Sequence, residues 1–273
     1  VHGWAGVTSP CIGALIGQGT PVLWRGPNGY PIGITAPMHR AGLDARRAQY
    51  EHAGGPRGLA IARALVAAKI VSMRGLVRRR APIAAREGLE GMQHLARRAL
   101  EARSIDSLIG IEGAASASYF SAWPALLTVR AGDLELDGRS RRPPRDEVNT
   151  FLSYAYALLA GECLAAVAAT GLDPRLGVMH QPRAGRASLA LDLMEPFRPL
   201  IADQAILTGL NTGQVNESHT ETREGGIHLT ETGKRLAIDL LERRMTQALT
   251  WPGRSEQVTY REAIGLQARS LVG

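Results

Sequence analysis

The stretch LAIARALVAAKIVSMRGLVRR, residues 59–79, decides how the rest of the chain is read. Its apolar residues recur at three and four spacing and its arginines fall on the opposite side, the period of an amphipathic helix. Upstream the texture differs. WAGVTSPCIGALIGQGTPVLWRGPNGYPIGI, residues 4–34, is rich in glycine and strand formers, and the runs around PVLW and YPIGI flank Pro27-Asn28-Gly29 as a hairpin would. The period changes at Pro56. The expected fold is therefore α+β: an incomplete β-rich domain over 1–36, a linker of part loop and part helix over 37–55, and a large all-α domain over 56–273.

Within the helical part, Gly88 and Gly91 interrupt one segment before a helix over 92–103. IEGAASASYFSAWPALL, residues 111–127, reads as a helix of small residues closed at Trp123-Pro124, since the residue before a proline avoids helical geometry. Residues 131–147 form a polar loop rich in proline and arginine. VNTFLSYAYALLAGECLAAVAAT, residues 148–170, is a long apolar helix with Gly171 as its C-terminal stop. A further helix covers 188–211, and the last starts from a threonine cap at Thr230 or Thr232.

Thirty-two basic residues against twenty-five acidic ones leave a net charge of +7, which favours a polyanionic partner. Lysine occurs only at Lys69 and Lys234. Such an arginine excess also follows from a GC-rich genome, so charge leans toward nucleic acid without deciding it. No apolar run of membrane-spanning length stands out and no secretory leader is visible, so the chain reads as cytoplasmic, with Cys11 and Cys163 as thiols rather than a disulfide framework. It begins at Val1 inside a strand-like stretch, as a fragment, a processed chain or part of something longer would. A His-Glu-x-x-His zinc pattern, a phosphate-binding glycine loop and a Gly-x-Ser-x-Gly elbow are all lacking, which argues against protease, nucleotide hydrolase and esterase readings.

The chemistry concentrates in GVMHQPRAGRASLALDLMEPFRP, residues 177–199. Asp192 and Glu195 lie three apart and share a helix face. His180 precedes them across a loop, and Glu112 sits far upstream between small residues. Oxygen donors with one imidazole suit Mg²⁺ or Mn²⁺. Spacing alone leaves a metal site and a solvated helix surface both open.

Three blocks in order, GIEGAASASYF, RRPPRDEVNTFLSYAYALL and GLDPRLGVMHQPRAGRASLALDLMEPFRPLIAD, resemble CRISPR-associated protein 1, the integrase that inserts new spacers into a CRISPR array. ARRAQYEHA with LAIARALVAAKI is similar to that family's entry into its helical domain, and residues 7–33 to the end of its β domain. The resemblance covers nearly the whole chain. It implies a metal held by Glu112, His180 and Glu195, with Asp192 in support. It places Arg198 against a DNA phosphate, with Arg183 and Arg186 as further DNA-binding candidates. The implied reaction is attack of a DNA 3′-hydroxyl on a repeat phosphodiester, with hydrolysis as the side reaction. Implied partners are DNA (protospacer and CRISPR repeat), a second copy in a homodimer, and CRISPR-associated protein 2. The family carries further strands before this starting point, which an upstream fusion with CRISPR-associated protein 4 and a trimmed or incomplete sequence would both explain. Two other readings stand beside it: a catalytically inactive DNA-binding scaffold of the same fold, and a hydrolase of small phosphate esters. Steep salt dependence would favour a polymer over a small ester.

Overall fold

The computed structural model describes residues 1, 5–37, 42–81, 83, 86–128, 134, 136, 138–140, 144–223 and 225–272. Residues 38–41 of the expected linker and much of the expected polar loop at 131–147 lie outside the described residues. In chain order the elements are α1 (Ser9–Gly17), β1 (Val22–Arg25), β2 (Pro31–Thr35), α2 (Gly42–His52), α3 (Pro56–Arg80), α4 (Arg86–Glu101), α5 (Ile105–Ser121), α6 (Glu147–Ala168), α7 (Ser188–Met194), α8 (Gln204–Asn211), β3 (Thr220–Arg223), β4 (Gly226–Leu229), α9 (Glu231–Met245), β5 (Ala248–Thr250), β6 (Gln257–Thr259) and α10 (Tyr260–Ser270). The fold is α+β and mostly helical, with a small N-terminal hairpin.

That hairpin forms where the turn signal placed it. β1 and β2 pair antiparallel, Leu23 opposite Ile34 and Trp24 opposite Gly33, and Gly29 takes the positive φ of 78° that the turn requires. The indole N–H of Trp24 donates to Thr35 Oγ1 at 3.0 Å. α1 corrects the expectation of strand: SPCIGALIG is helical, with Pro10 in the first turn where its missing N–H is harmless. A short apolar run carries no period that separates the two states.

In α3 the buried residues Ala62, Leu65, Val66, Ile70, Met73 and Leu76 follow the expected helical period. α4 begins earlier than Gly88 and Gly91 suggested. Both glycines are exposed, while Leu89, Met92, Ala96 and Ala99 bury one stripe, and that burial outweighs about 1 kcal/mol of lost propensity per glycine. α6 is long and apolar enough by length and composition to cross a membrane, which the reading of the sequence missed. In the fold 72% of its most apolar window is buried inside the protein, as in a core helix.

Two corrections fall later. The helix expected over 188–211 is broken at Glu195 and Pro196, and a π-helical turn at Arg198–Asp203 joins α7 to α8. Proline removes the N–H that would continue the ladder. The expected all-α part also contains two short hairpins, β3–β4 and β5–β6, whose strands of three or four residues are too brief to show alternation.

The chain divides into two compact units. The first comprises Val1–Ala62, Ala157–Glu195 and Ala248–Gly273; the second comprises Arg63–Tyr156 and Pro196–Gln247. In the first, Arg25 of β1 docks on α6 by donating to the carbonyls of Ala157 (3.2 Å) and Leu158 (2.9 Å), and Gly161 leaves the room its guanidinium needs. In the second, Tyr119, Trp123, Ile70, Met73, Met92 and Leu108 are among the fully buried large side chains.

Candidate functional site

In the first unit the loop before α7 is wrapped around one carboxylate. Asp192 is fully buried and accepts from the backbone N–H groups of Val178 (2.6 Å), Met179 (3.1 Å) and His180 (3.0 Å). Its Oδ1 also stands 2.6 Å from Nδ1 of His180. A carboxylate that takes three backbone donors has its remaining lone pairs for Nδ1–H, so the ring is held with Nε2 as the basic nitrogen. That is the arrangement in which an outer carboxylate fixes the tautomer of a metal-binding histidine. Gly177 permits it: a Cβ there would lie 2.5 Å from Asp192 Oδ2 and 2.9 Å from the carbonyl of His180. Glu195 ends α7, is 2% exposed, and donates its N–H to the carbonyl of Asp192 at 3.2 Å.

The start of this loop is held from α2. The Gln49 side chain donates to the carbonyls of Asp173 (2.9 Å) and Leu176 (2.8 Å) and accepts from the Asp173 N–H (2.8 Å). Arg46 donates to the Gly171 carbonyl at 2.9 Å, and Tyr50 to Asp173 Oδ2 at 2.6 Å. Arg175 and Tyr50 hold the Asp173 carboxyl well below the usual range. Gly42 and Gly171 meet backbone to backbone: a Cβ on Gly42 would lie 2.8 Å from the Gly171 Cα, and Gly171 has φ +82°. The ARRAQYEHA block thus has a physical task, which is to anchor the histidine loop.

In the second unit Glu112, on α5, accepts from Lys69 Nζ and, at 2.7 Å, from Ser116 Oγ, both through Oε1. Arg198 opens the π-helical turn, with its guanidinium 4.6 Å from the centre of the Tyr156 ring; Arg139 stands 5.3 Å from the same ring. The hydroxyls of Tyr156 (2.6 Å) and Tyr119 (2.8 Å) donate to Asp203, a buried acid whose desolvation pushes its carboxyl up to about 6 against these bonds and the two arginines. Arg183 is exposed and Arg186 half-buried in the loop after His180, turned about Gly185 at φ +71°.

Of the predicted site residues, the fold joins His180 to Asp192 and sets Glu195 one turn along the same segment. Glu112 lies in the second unit with partners of its own. Among the described residues no three His, Cys, Asp or Glu side chains stand together as a metal cage. Within the first unit, Glu195 and an imidazole whose Nδ1 is already bound are donor types that suit a hard divalent ion. Lys69 and Asp203 escaped the sequence reading. The signal was present in both, a charged residue set among the apolar positions of a helical segment.

The family description CRISPR associated protein Cas1 matches residues 1–243. A Cas4 exonuclease/Cas1 endonuclease fusion from Geobacter sulfurreducens is 38% identical over 99% of this chain, which spans 50% of that relative's length. A Cas1 protein of known structure from Thermotoga maritima is 27% identical with a TM-score of 0.78, covering 98% of this chain and 83% of its own. A solved complex described as Cas6-RT-Cas1–Cas2 matches 99% of this chain and 30% of its own at 25% identity and a TM-score of 0.79.

Proposed function

Because the chain belongs to the Cas1 family, we propose that it is a metal-dependent DNA integrase and endonuclease that inserts spacers into a CRISPR array. The observation that carries this reading is the His180–Asp192 pair, a buried carboxylate spending four acceptor positions on presenting one imidazole. A surface histidine needs no such support.

The proposed ligands are Glu112, His180 and Glu195, assigned by the family resemblance, with Mg²⁺ or Mn²⁺ as the ion. Bound there, the metal supplies Lewis-acid stabilisation of charge on a phosphoryl oxygen. The chain's own part is positioning. Asp192 keeps the proton on Nδ1 of His180. Glu195, at the end of α7 just before Pro196, is held at a fixed distance along the chain from that pair. Arg198, half-buried on Tyr156, offers N–H donors to a phosphate, and Arg183 and Arg186 extend basic surface beside the histidine. The net charge of +7 supports DNA as the substrate. CRISPR-associated protein 2 and a fused CRISPR-associated protein 4 are proposed partners, supported by the relatives' names, and a second copy of the chain is proposed from the family resemblance alone.

The test is strand transfer on a labelled branched DNA that mimics a half-integrated spacer, with Mn²⁺, Mg²⁺ or EDTA. Metal-dependent rejoining of the repeat strand is expected. His180→Ala should abolish it, by at least about a hundredfold, while DNA affinity stays within about twofold. Binding without rejoining in the wild type would favour the scaffold reading instead.

A further inference from the structure

We propose that Lys69 is a cationic placeholder on Glu112: its ammonium neutralises the carboxylate in the metal-free protein and withdraws when a divalent cation binds there. This rests on Glu112 being a ligand, and adds how the empty site is kept folded and how it is filled.

Lys69 occupies a core-facing position of α3, between Val66, Ile70 and Met73, and is only 5% exposed. A charge in that setting persists only if paired. Glu112 is one partner of that charge, and Ser116 Oγ crowds the same Oε1, so Oε2 is the oxygen these two contacts leave unused. The choice of side chain matters as much. Thirty of the thirty-two basic residues in this chain are arginine, yet this buried position carries one of two lysines. Arginine's planar fork would grip both carboxylate oxygens; lysine is a compact charge on a flexible stem that takes one oxygen and swings away. An ammonium and a divalent ion on one carboxylate repel strongly at the low effective dielectric of a partly buried site. One must leave when the other arrives.

The scarcity of lysine makes the test direct. The protein is treated briefly with an amine-acetylating ester, with and without saturating Mn²⁺, and acetylation at Lys69 and Lys234 is read by peptide mass spectrometry. Lys234, half-buried on α9 and paired with Glu231 at 2.7 Å, is the internal standard. The expected result is that Mn²⁺ raises Lys69 acetylation at least threefold relative to Lys234, and that Glu112→Gln raises it without metal. Free-Mn²⁺ titration by electron paramagnetic resonance should show Lys69→Met binding at least tenfold tighter than wild type. Acetylation of Lys69 that is unchanged or lowered by bound Mn²⁺ overturns the proposal and leaves a fixed ion pair. That readout uses the wild type, so it decides even if Lys69→Met does not fold. Equal Mn²⁺ binding by wild type and Glu112→Gln would instead remove Glu112 from the ligand set, and the placeholder with it.

Discussion

At Asp203 a single side chain sets a pH dependence. Burial raises its carboxyl from 3.8 to about 6, despite donors from Tyr119 and Tyr156 and the nearby Arg139 and Arg198. An acid raised on folding takes up a proton as the chain folds. Its stabilising contribution is therefore complete below about 3.8 and is lost as pH rises through about 6, a change of roughly 3 kcal/mol. Urea denaturation between pH 4 and 7 should show this fall in wild type, and Asp203→Asn should remove that share of the slope. A variant with the wild-type slope would place the titration elsewhere. The legibility of single residues divides along the same line. His180, Asp192 and Glu195 stood out because their segment joined turn residues to acids on a helical period. Lys69 and Asp203 carried only the signal of a charge among apolar helical positions, and their partners, Glu112 on one side and two tyrosines on the other, are distant in sequence. Only the fold pairs them.

Among the elements, the histidine loop depends on missing atoms as much as on contacts. Gly177 has no space for a Cβ beside Asp192, where the nearest approach would be 2.5 Å. Gly177→Ala should therefore push the carboxylate from its backbone donors, destabilise the protein by about 2–3 kcal/mol in chemical denaturation, and cut strand transfer at least tenfold. Wild-type stability would mean that the loop tolerates another path. Long helices were the most readable: α3, α6 and α9 fall close to where the sequence placed them, whereas α5 starts at Ile105, before the stretch from Ile111 that was read as helical. The break between α7 and α8 was not readable, since the apolar pattern runs straight through Pro196 and Pro199. Nor were β3–β4 and β5–β6, whose strands hold too few residues for a period.

For the whole molecule, a charge of +7 carried almost wholly by arginine should make DNA affinity steeply salt-dependent, with a log–log slope of about −0.9 for each phosphate neutralised. Arg198→Ala should lower that slope by about one unit in fluorescence anisotropy titrations, whereas an unchanged slope would leave Arg198 to its packing on Tyr156. The broad class, a small N-terminal hairpin ahead of a mostly helical body, was readable from the change of texture along the sequence. Gln49 adds a consequence for time rather than for energy. His180 and Asp192 are 12 residues apart and can meet early in folding, whereas Gln49 and Asp173 are separated by 124 and close a far longer loop. Contacts that close long loops tend to form after the transition state. Gln49→Ala should then accelerate unfolding several-fold in stopped-flow denaturant jumps while leaving refolding almost unchanged. Slowed refolding would place the clamp in the folding nucleus. The lifetime of the histidine's geometry is in this way governed by an amide outside its own loop.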